Sequence, residues 1–179
     1  MDSVFQRIYD NYHQDLFQFL FYMVNNRETA EDLVQEVYIR VYKSFESFQG
    51  KSSERTWLYS IARNTAIDHF RKHKSWKQRL LENFDWGRNE IQDEQPLPEE
   101  FILEQEEFRL VYESLDRCTV DQKTVIVLRY IQELTISETA AVLGWTESKV
   151  KTTQHRALKN LKKIISEEPE KGGVRIEKI

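Results

Sequence analysis

The sequence predicts an all-α protein made of two small helical domains joined by a flexible acidic linker. Three observations carry this expectation. Apolar residues recur at helical spacing over almost the whole chain, and no stretch alternates convincingly as a strand. Only 5 Gly and 3 Pro occur, too few for most β-rich architectures built on tight turns. Residues 82–100 lose the periodicity, and there Glu82, Asp85, Glu90, Asp93, Glu94, Glu99 and Glu100 crowd around Pro96 and Pro98. Such a stretch is long for a loop inside one domain.

The first helix carries Val4, Ile8, Tyr12, Leu16, Leu20 and Met23 as one stripe, with Ser3 and Gln6 resembling a capping box at its start. The Asn25-Asn26 turn signal precedes a second stripe of Leu33, Val34, Val37 and Val41, with Glu28 and Thr29 near its beginning. Gln49-Gly50-Lys51-Ser52-Ser53 breaks the pattern. A third helix then places Trp57, Leu58, Ile61, Ala62 and Thr65 on one face. These three make an N-terminal domain over residues 1–80, followed by the linker over 81–104. Periodicity resumes with Phe108, Val111, Leu115 and Cys118, then Val120, Thr124, Leu128 and Ile131. Thr135-Ile136-Ser137-Glu138 is a clean capping box opening a short helix with Ile136, Ala140 and Leu143. After Gly144-Trp145-Thr146, a last helix carries Val150, Ala157, Leu158, Leu161, Ile164 and Ile165. The C-terminal domain spans 105–166, and a tail over 167–179, with Pro169, Gly172 and Gly173, frays.

Composition excludes several classes. The chain has 179 residues, 40% of them hydrophobic and 12% aromatic, enough to bury a core. Its single cysteine, Cys118, excludes an intrachain disulfide framework and fits a reducing cytosol. The longest apolar run, Phe19 to Val24, falls far short of the roughly 20 residues that span a bilayer. Met1-Asp2-Ser3 opens without a basic or apolar leader, so the expected location is the cytoplasm.

Charge is distributed unevenly. Residues 1–75 carry 10 Lys/Arg against 10 Asp/Glu, residues 76–120 carry 5 against 12, and residues 121–179 carry 11 against 8. The whole-chain pI of about 5.7 argues against a nucleic-acid binder. The local distribution argues for one, because electrostatic binding depends on patches.

The most specific constellation lies at Thr135–Lys163. A short capped helix ends at Gly144, which suits a turn with φ > 0, and a longer basic helix comes next. That is the order of a helix-turn-helix, whose second helix enters the major groove. The second helix carries Lys149, Lys151, His155, Arg156, Lys159, Lys162 and Lys163 with no acid between Lys149 and Lys163. A merely solvated helix usually mixes signs. Ser148, Thr152, Thr153 and Gln154 add short polar groups able to reach base edges.

A second constellation spans Thr56–Arg79. Trp57, Tyr59 and Phe70 are interleaved with Arg63, Asn64, His69, Arg71, Lys72, His73, Lys74, Lys77 and Arg79. Cations beside aromatics suit unpaired bases, the cations holding the backbone and the rings stacking. For Trp57 a core position is an equally good reading, since it lies within the apolar stripe. The third constellation is Asp32, Gln35, Glu36 and Arg40, spaced to share one face of the second helix. Residue spacing alone prefers an exposed helix with internal ion pairs there, and a protein-binding face is the sharper reading. Enzyme chemistry is poorly represented. His69 and His73 form an i, i+4 pair without the Glu of a zinc protease motif and among cations that repel a metal. No phosphate-cradling glycine loop and no nucleophile pair occur, so no catalytic residue, metal or cofactor is expected.

Together these residues resemble the sigma-70 family and, within it, the extracytoplasmic function (ECF) sigma factors. Three blocks carry the resemblance in order: Ala30 to Tyr42, then Thr56 to Asn64 with Asp68 and Arg71-Lys72, then Val150 to Leu158. The match covers about residues 4–165. The resemblance implies a role for each block. Asp32, Gln35, Glu36 and Arg40 match the segment that docks on the coiled coil of the polymerase β′ subunit. The loop from Gln49 to Arg55, including Gly50, Lys51, Ser52 and Ser53, matches the one that captures a flipped base of the −10 element. Asn64 matches a residue lining that pocket, and Trp57, Arg63, Arg71 and Lys72 lie with it on the expected −10 surface. Ser148 to Arg156, with Lys149, Lys151, Thr152, Thr153 and His155, match the −35 reader. The family often has Gly-Thr-Val-Lys-Ser-Arg where this chain has Ser148-Lys149-Val150-Lys151-Thr152-Thr153, and an apolar residue where it has Gln154. With Thr153 at the usual Arg position, Arg156 is expected on phosphate and base choice falls to Lys149, Thr152 and Thr153.

The expected function is therefore promoter recognition by a factor, monomeric when free, that binds core RNA polymerase, directs it to −35 and −10 elements and opens the −10 duplex. The resemblance also implies an anti-sigma partner, often membrane-anchored. The alternative is a stand-alone helix-turn-helix repressor or activator. A helical signalling adaptor whose basic helix binds an acidic partner is a third reading.

Overall fold

The computed structural model describes residues 2–45, 48, 52–83 and 106–167, and these are helical, with short connections and no strand among them. The chain divides into two compact units, Met1–Pro96 and Leu97–Ile179.

In the N-terminal unit, α1 (Asp2–Val24), α2 (Arg27–Ser44) and α3 (Glu54–Asn83) pack pairwise on one another. Local chemistry sets the breaks. Asn25 takes a left-handed φ of 55°, which Asn tolerates better than most side chains, and its N–H closes α1 on the Phe21 carbonyl at 2.9 Å. The extended Asn26 is the N-cap of α2, its side chain accepting from the Thr29 N–H at 2.8 Å. Ser53 does the same for α3, its hydroxyl accepting from the Thr56 N–H at 3.1 Å. The core is formed by Leu16, Phe19, Leu20 and Met23 of α1, Leu33, Val34, Val37 and Val41 of α2, and Leu58, Tyr59, Ala62 and Ala66 of α3. Burying each large apolar side chain contributes about 1.5–3 kcal/mol. Helix α1 is described from Asp2, and the expected Ser3–Gln6 capping box rests on a side chain outside the described residues. Helix α3 runs to Asn83, past residue 80, because nothing between Ser75 and Asn83 breaks a helix. The rest of the expected linker, 84–104, and the tail after Glu167 lie outside the described residues.

In the C-terminal unit, α4 (Glu106–Asp116), α5 (Val120–Ile126) and α6 (Ile136–Leu143) all pack on α7 (Glu147–Glu167). Helix α5 carries a capping box at Thr119 and Gln122 that the apolar pattern did not announce, and it runs on into a π-helical turn, Val127–Ile131. Tyr112, Leu115, Val125, Val127, Leu128, Leu134, Val150, Ala157 and Leu161 fill the interior. Lys123 is buried but paired with Asp116, which offsets the desolvation of its charge. Three expected core residues are exposed instead: Val111 (41%), Val120 (38%) and Leu158 (42%). In α4 the neighbouring Tyr112 takes the inward position. Val120 is the first residue after its cap, and Leu158 lies beside rather than on the Val150–Ala157–Leu161 face.

Candidate functional site

The helix-turn-helix is built by local caps. Thr135 accepts from the Glu138 N–H at 3.1 Å while the Glu138 carboxylate accepts from the Thr135 N–H at 2.7 Å. Gly144 ends α6 at φ 65°, ψ 32°, the left-handed conformation that favours glycine. Trp145 N–H then returns to the Ala140 carbonyl at 2.9 Å. Thr146 caps α7, its hydroxyl accepting from the Lys149 N–H at 3.2 Å. Ala140 and Val150 are buried where the two helices meet.

This arrangement turns Ser148, Lys149, Lys151, Thr152, His155 and Arg156 to solvent, with Thr153 half-buried. Their neighbours constrain them differently. Lys149 Nζ sits 3.8 Å from the centre of the Trp145 ring, and Lys151 Nζ lies 4.0 Å from Glu147. The Thr152 hydroxyl donates to the Ser148 carbonyl at 2.9 Å. Arg156, Lys159 and Lys162 make no ion pair among the described residues. Gln154 corrects an expectation. It is half-buried and bonded to Arg129 and Tyr130 of its own unit, so it does not belong with the groups free to reach base edges.

On α2, Asp32 and Gln35 are exposed, while Glu36 and Arg40 are half-buried. Arg40 donates to Glu36 at 2.5 Å along the helix and to Asp68 of α3 at 3.0 Å. Partial burial opposes the Arg40 charge, but these bonds to two carboxylates outweigh it and hold its pKa above the ordinary value. Exposed apolar side chains, Ile39 (54%) and Tyr42 (58%), share this surface and were missed in the sequence, where a charged pattern drew attention instead.

On α3, Ser52 and Ser53 are exposed just before the helix, and Gln49, Gly50 and Lys51 lie outside the described residues. Trp57 is half-buried in a ring cluster, 4.7 Å from Phe48 and 6.2 Å from Phe45. Arg63 donates to the Asn64 side chain at 3.2 Å, and Asn64 is exposed. Arg71 and Lys72 are exposed, Arg71 with a loose 3.9 Å approach to Asp68. Partial burial, then the neighbouring His73, push the His69 pKa down; Glu36 pulls it up, and Lys72 adds a lesser push down.

Both helical units match one family of known proteins. Residues 8–76 match Sigma-70 region 2 and residues 115–163 match Sigma-70, region 4. The chain is 53% identical to the ECF RNA polymerase sigma factor SigX of Bacillus subtilis, over 99% of this chain and 93% of that one. It is 32% identical to the RNA polymerase sigma factor YlaC of the same organism, over 94% and 95%. Its fold is that of the sigma factor RpoE solved with the anti-sigma factor NepR from Bartonella quintana, with a TM-score of 0.74, 20% identity and coverage of 93% of this chain and 99% of that one. The chain belongs to the sigma-70 family, among the ECF RNA polymerase sigma factors. It binds core RNA polymerase and directs promoter-specific transcription initiation. Sigma factors are DNA-recognition proteins, not enzymes.

Proposed function

We propose a division of labour among three surfaces within that function. Asp32, Gln35, Glu36 and Arg40 on α2 dock on the β′ subunit of core polymerase. Gln49 to Ser53 with Trp57, Arg63, Asn64, Arg71 and Lys72 hold the −10 element, with Asn64 beside an extruded base. Ser148, Lys149, Lys151, Thr152, Thr153, His155 and Arg156 on α7 read the −35 element. The protein makes and breaks no bond; it opens the −10 duplex by binding the unpaired strand better than the paired one, a shift of population. It works in the cytoplasm, where its polymerase is. No described helix is long and apolar enough to cross a membrane. An anti-sigma factor is its regulatory partner, in line with the RpoE fold relative solved with NepR.

The observation that carries this reading is the outward face of α7, one sign of charge from Lys149 to Lys163, projecting from a capped helix-turn-helix. Arg156 is exposed there and makes no ion pair among the described residues, which leaves it available to exchange counterions for a phosphate. Holoenzyme carrying Arg156→Ala, assayed on a library of −35 variants at several salt concentrations, tests it. All sequences should weaken alike, with the salt slope reduced by about one. Relaxed preference at a single base pair with an unchanged slope would move Arg156 from phosphate to a base.

A further inference from the structure

Gln154 is a polar residue near the N-terminal end of the basic helix that turns toward its own unit. It lies four residues after Val150 and three before Ala157, at the edge of the buried face of α7. Both ends of its amide are used. Its Oε1 accepts from Arg129 Nε at 3.0 Å, and its Nε2 donates to the Tyr130 hydroxyl at 3.0 Å. Arg129 also donates through Nη1 to the carbonyl of Leu134, the residue before the Thr135 cap of α6. One guanidinium therefore joins the start of the first helix of the motif to the flank of the second.

The clamp depends on an irregular backbone. Arg129 and Tyr130 lie within the π-helical turn Val127–Ile131. One extra residue in a helical turn rotates the residues after it by about 100° relative to an uninterrupted α-helix. Here the adjacent Arg129 and Tyr130 both reach the same Gln154 amide, one as donor and one as acceptor. A two-point polar clamp adds to the apolar packing of α7 a restraint on its rotation about its own axis, because hydrogen bonds are directional. That rotation matters at the outward face. A side-chain head about 6 Å from the axis moves about 1 Å for a rotation of about 10°. An error of that size is enough to spoil a recognition site.

We propose that Gln154 is a positioning residue for −35 recognition: held between Arg129 and Tyr130, it sets the rotation of α7 and thereby which base edges its outward side chains meet. This rests on the assignment of α7 as the −35 reader. Gln154 touches no base itself.

The test compares wild-type, Gln154→Leu and Gln154→Glu holoenzymes on one −35 library at one salt concentration, with thermal unfolding and core-polymerase affinity measured alongside. Leu keeps the bulk and removes both hydrogen bonds; Glu keeps the acceptor for Arg129. Gln154→Leu should lose about 10-fold in discrimination spread over two or more adjacent base pairs. Its affinity for core polymerase and for non-specific DNA should stay unchanged, and Gln154→Glu should recover most of the lost discrimination. Tyr130→Phe, which removes only the exposed acceptor, should shift preference in the same direction by less, and serves if Gln154→Leu unfolds. Discrimination lost at one base pair alone would make Gln154 a base contact and overturn the proposal. So would unchanged preference, failure of Glu to rescue, or a uniform fall that tracks melting temperature. A wild-type holoenzyme without −35 preference would overturn the α7 assignment itself, and is distinguished because it fails before any variant is compared.

Discussion

The outward faces of α2 and α7 are both strongly polar, yet they are wired in opposite ways. On α2 the charges are mixed and committed. Glu36 and Asp68 share Arg40, Arg27 holds Glu31 at 3.0 Å, and two apolar side chains, Ile39 and Tyr42, stand among them in solvent. On α7 the charges from Lys149 to Lys163 are one-signed, the acids Glu147 and Glu167 stand only at the ends, where they pair with Lys151 and Lys163, and Arg156, Lys159 and Lys162 make no ion pair among the described residues. The contrast reflects the chemistry that each kind of partner rewards. A protein partner is bound by preorganised polar groups around exposed apolar anchors, because holding side chains in place lowers the entropy lost on docking. A phosphate backbone is bound by cations that can trade counterions for phosphates, and an internal acid would compete. On the proposed assignment, α2 meets polymerase and α7 meets DNA.

The strongest way to break this comparison is to reverse the α2 charges. Asp32→Lys with Glu36→Lys should reduce affinity for core polymerase by about 100-fold or more, since central interface residues cost about 2 kcal/mol and upward when disrupted. Helicity by circular dichroism should not change. Unchanged capture by core polymerase would remove α2 from the interface. A smaller effect sharpens the contrast in wiring. Arg40→Ala removes a tie between α2 and α3 and should lower stability by up to about 1 kcal/mol, modest because about a third of the side chain, 34%, is in water. Arg156→Ala, with no tie to lose, should change stability by less than about 0.5 kcal/mol. Urea unfolding of both variants measures this, and equal losses would mean the two faces are not wired differently.

Much of the architecture is legible in the sequence, and the parts that are not share a cause. The Thr135–Glu138 box and the Gly144 turn are readable because each depends on residues three or four apart. Glu36 is readable as a partner of Arg40 for the same reason; Asp68, 28 residues further on, is not. Val111 and Tyr112 are adjacent apolar residues, so periodicity cannot choose between them, and packing buries Tyr112. The spacing of Val120, Thr124, Leu128 and Ile131 gives way to a continuous buried run from Lys123 to Leu128, because the end of α5 and the start of the π-helical turn are covered on every side, which a one-face pattern does not foretell. Gln154 looks like a base reader because it sits among the residues proposed to read bases; only its partners from a distant turn reveal that it faces its own unit. Ile39 and Tyr42 lie outside the stripe of Leu33, Val34, Val37 and Val41, and their spacing alone does not distinguish a solvent-exposed anchor from a peripheral core residue.

The division between the two faces is tested most directly by gel shift on promoter DNA carrying −35 and −10 elements, with the protein alone, with core polymerase, and with core polymerase plus the Asp32→Lys, Glu36→Lys variant. The protein alone should give no sequence-specific shift, core polymerase should produce one, and the variant should abolish it while its α7 remains intact. A specific shift by the protein alone, unaffected by core polymerase or by the α2 substitutions, would contradict the account and describe a stand-alone DNA-binding regulator instead.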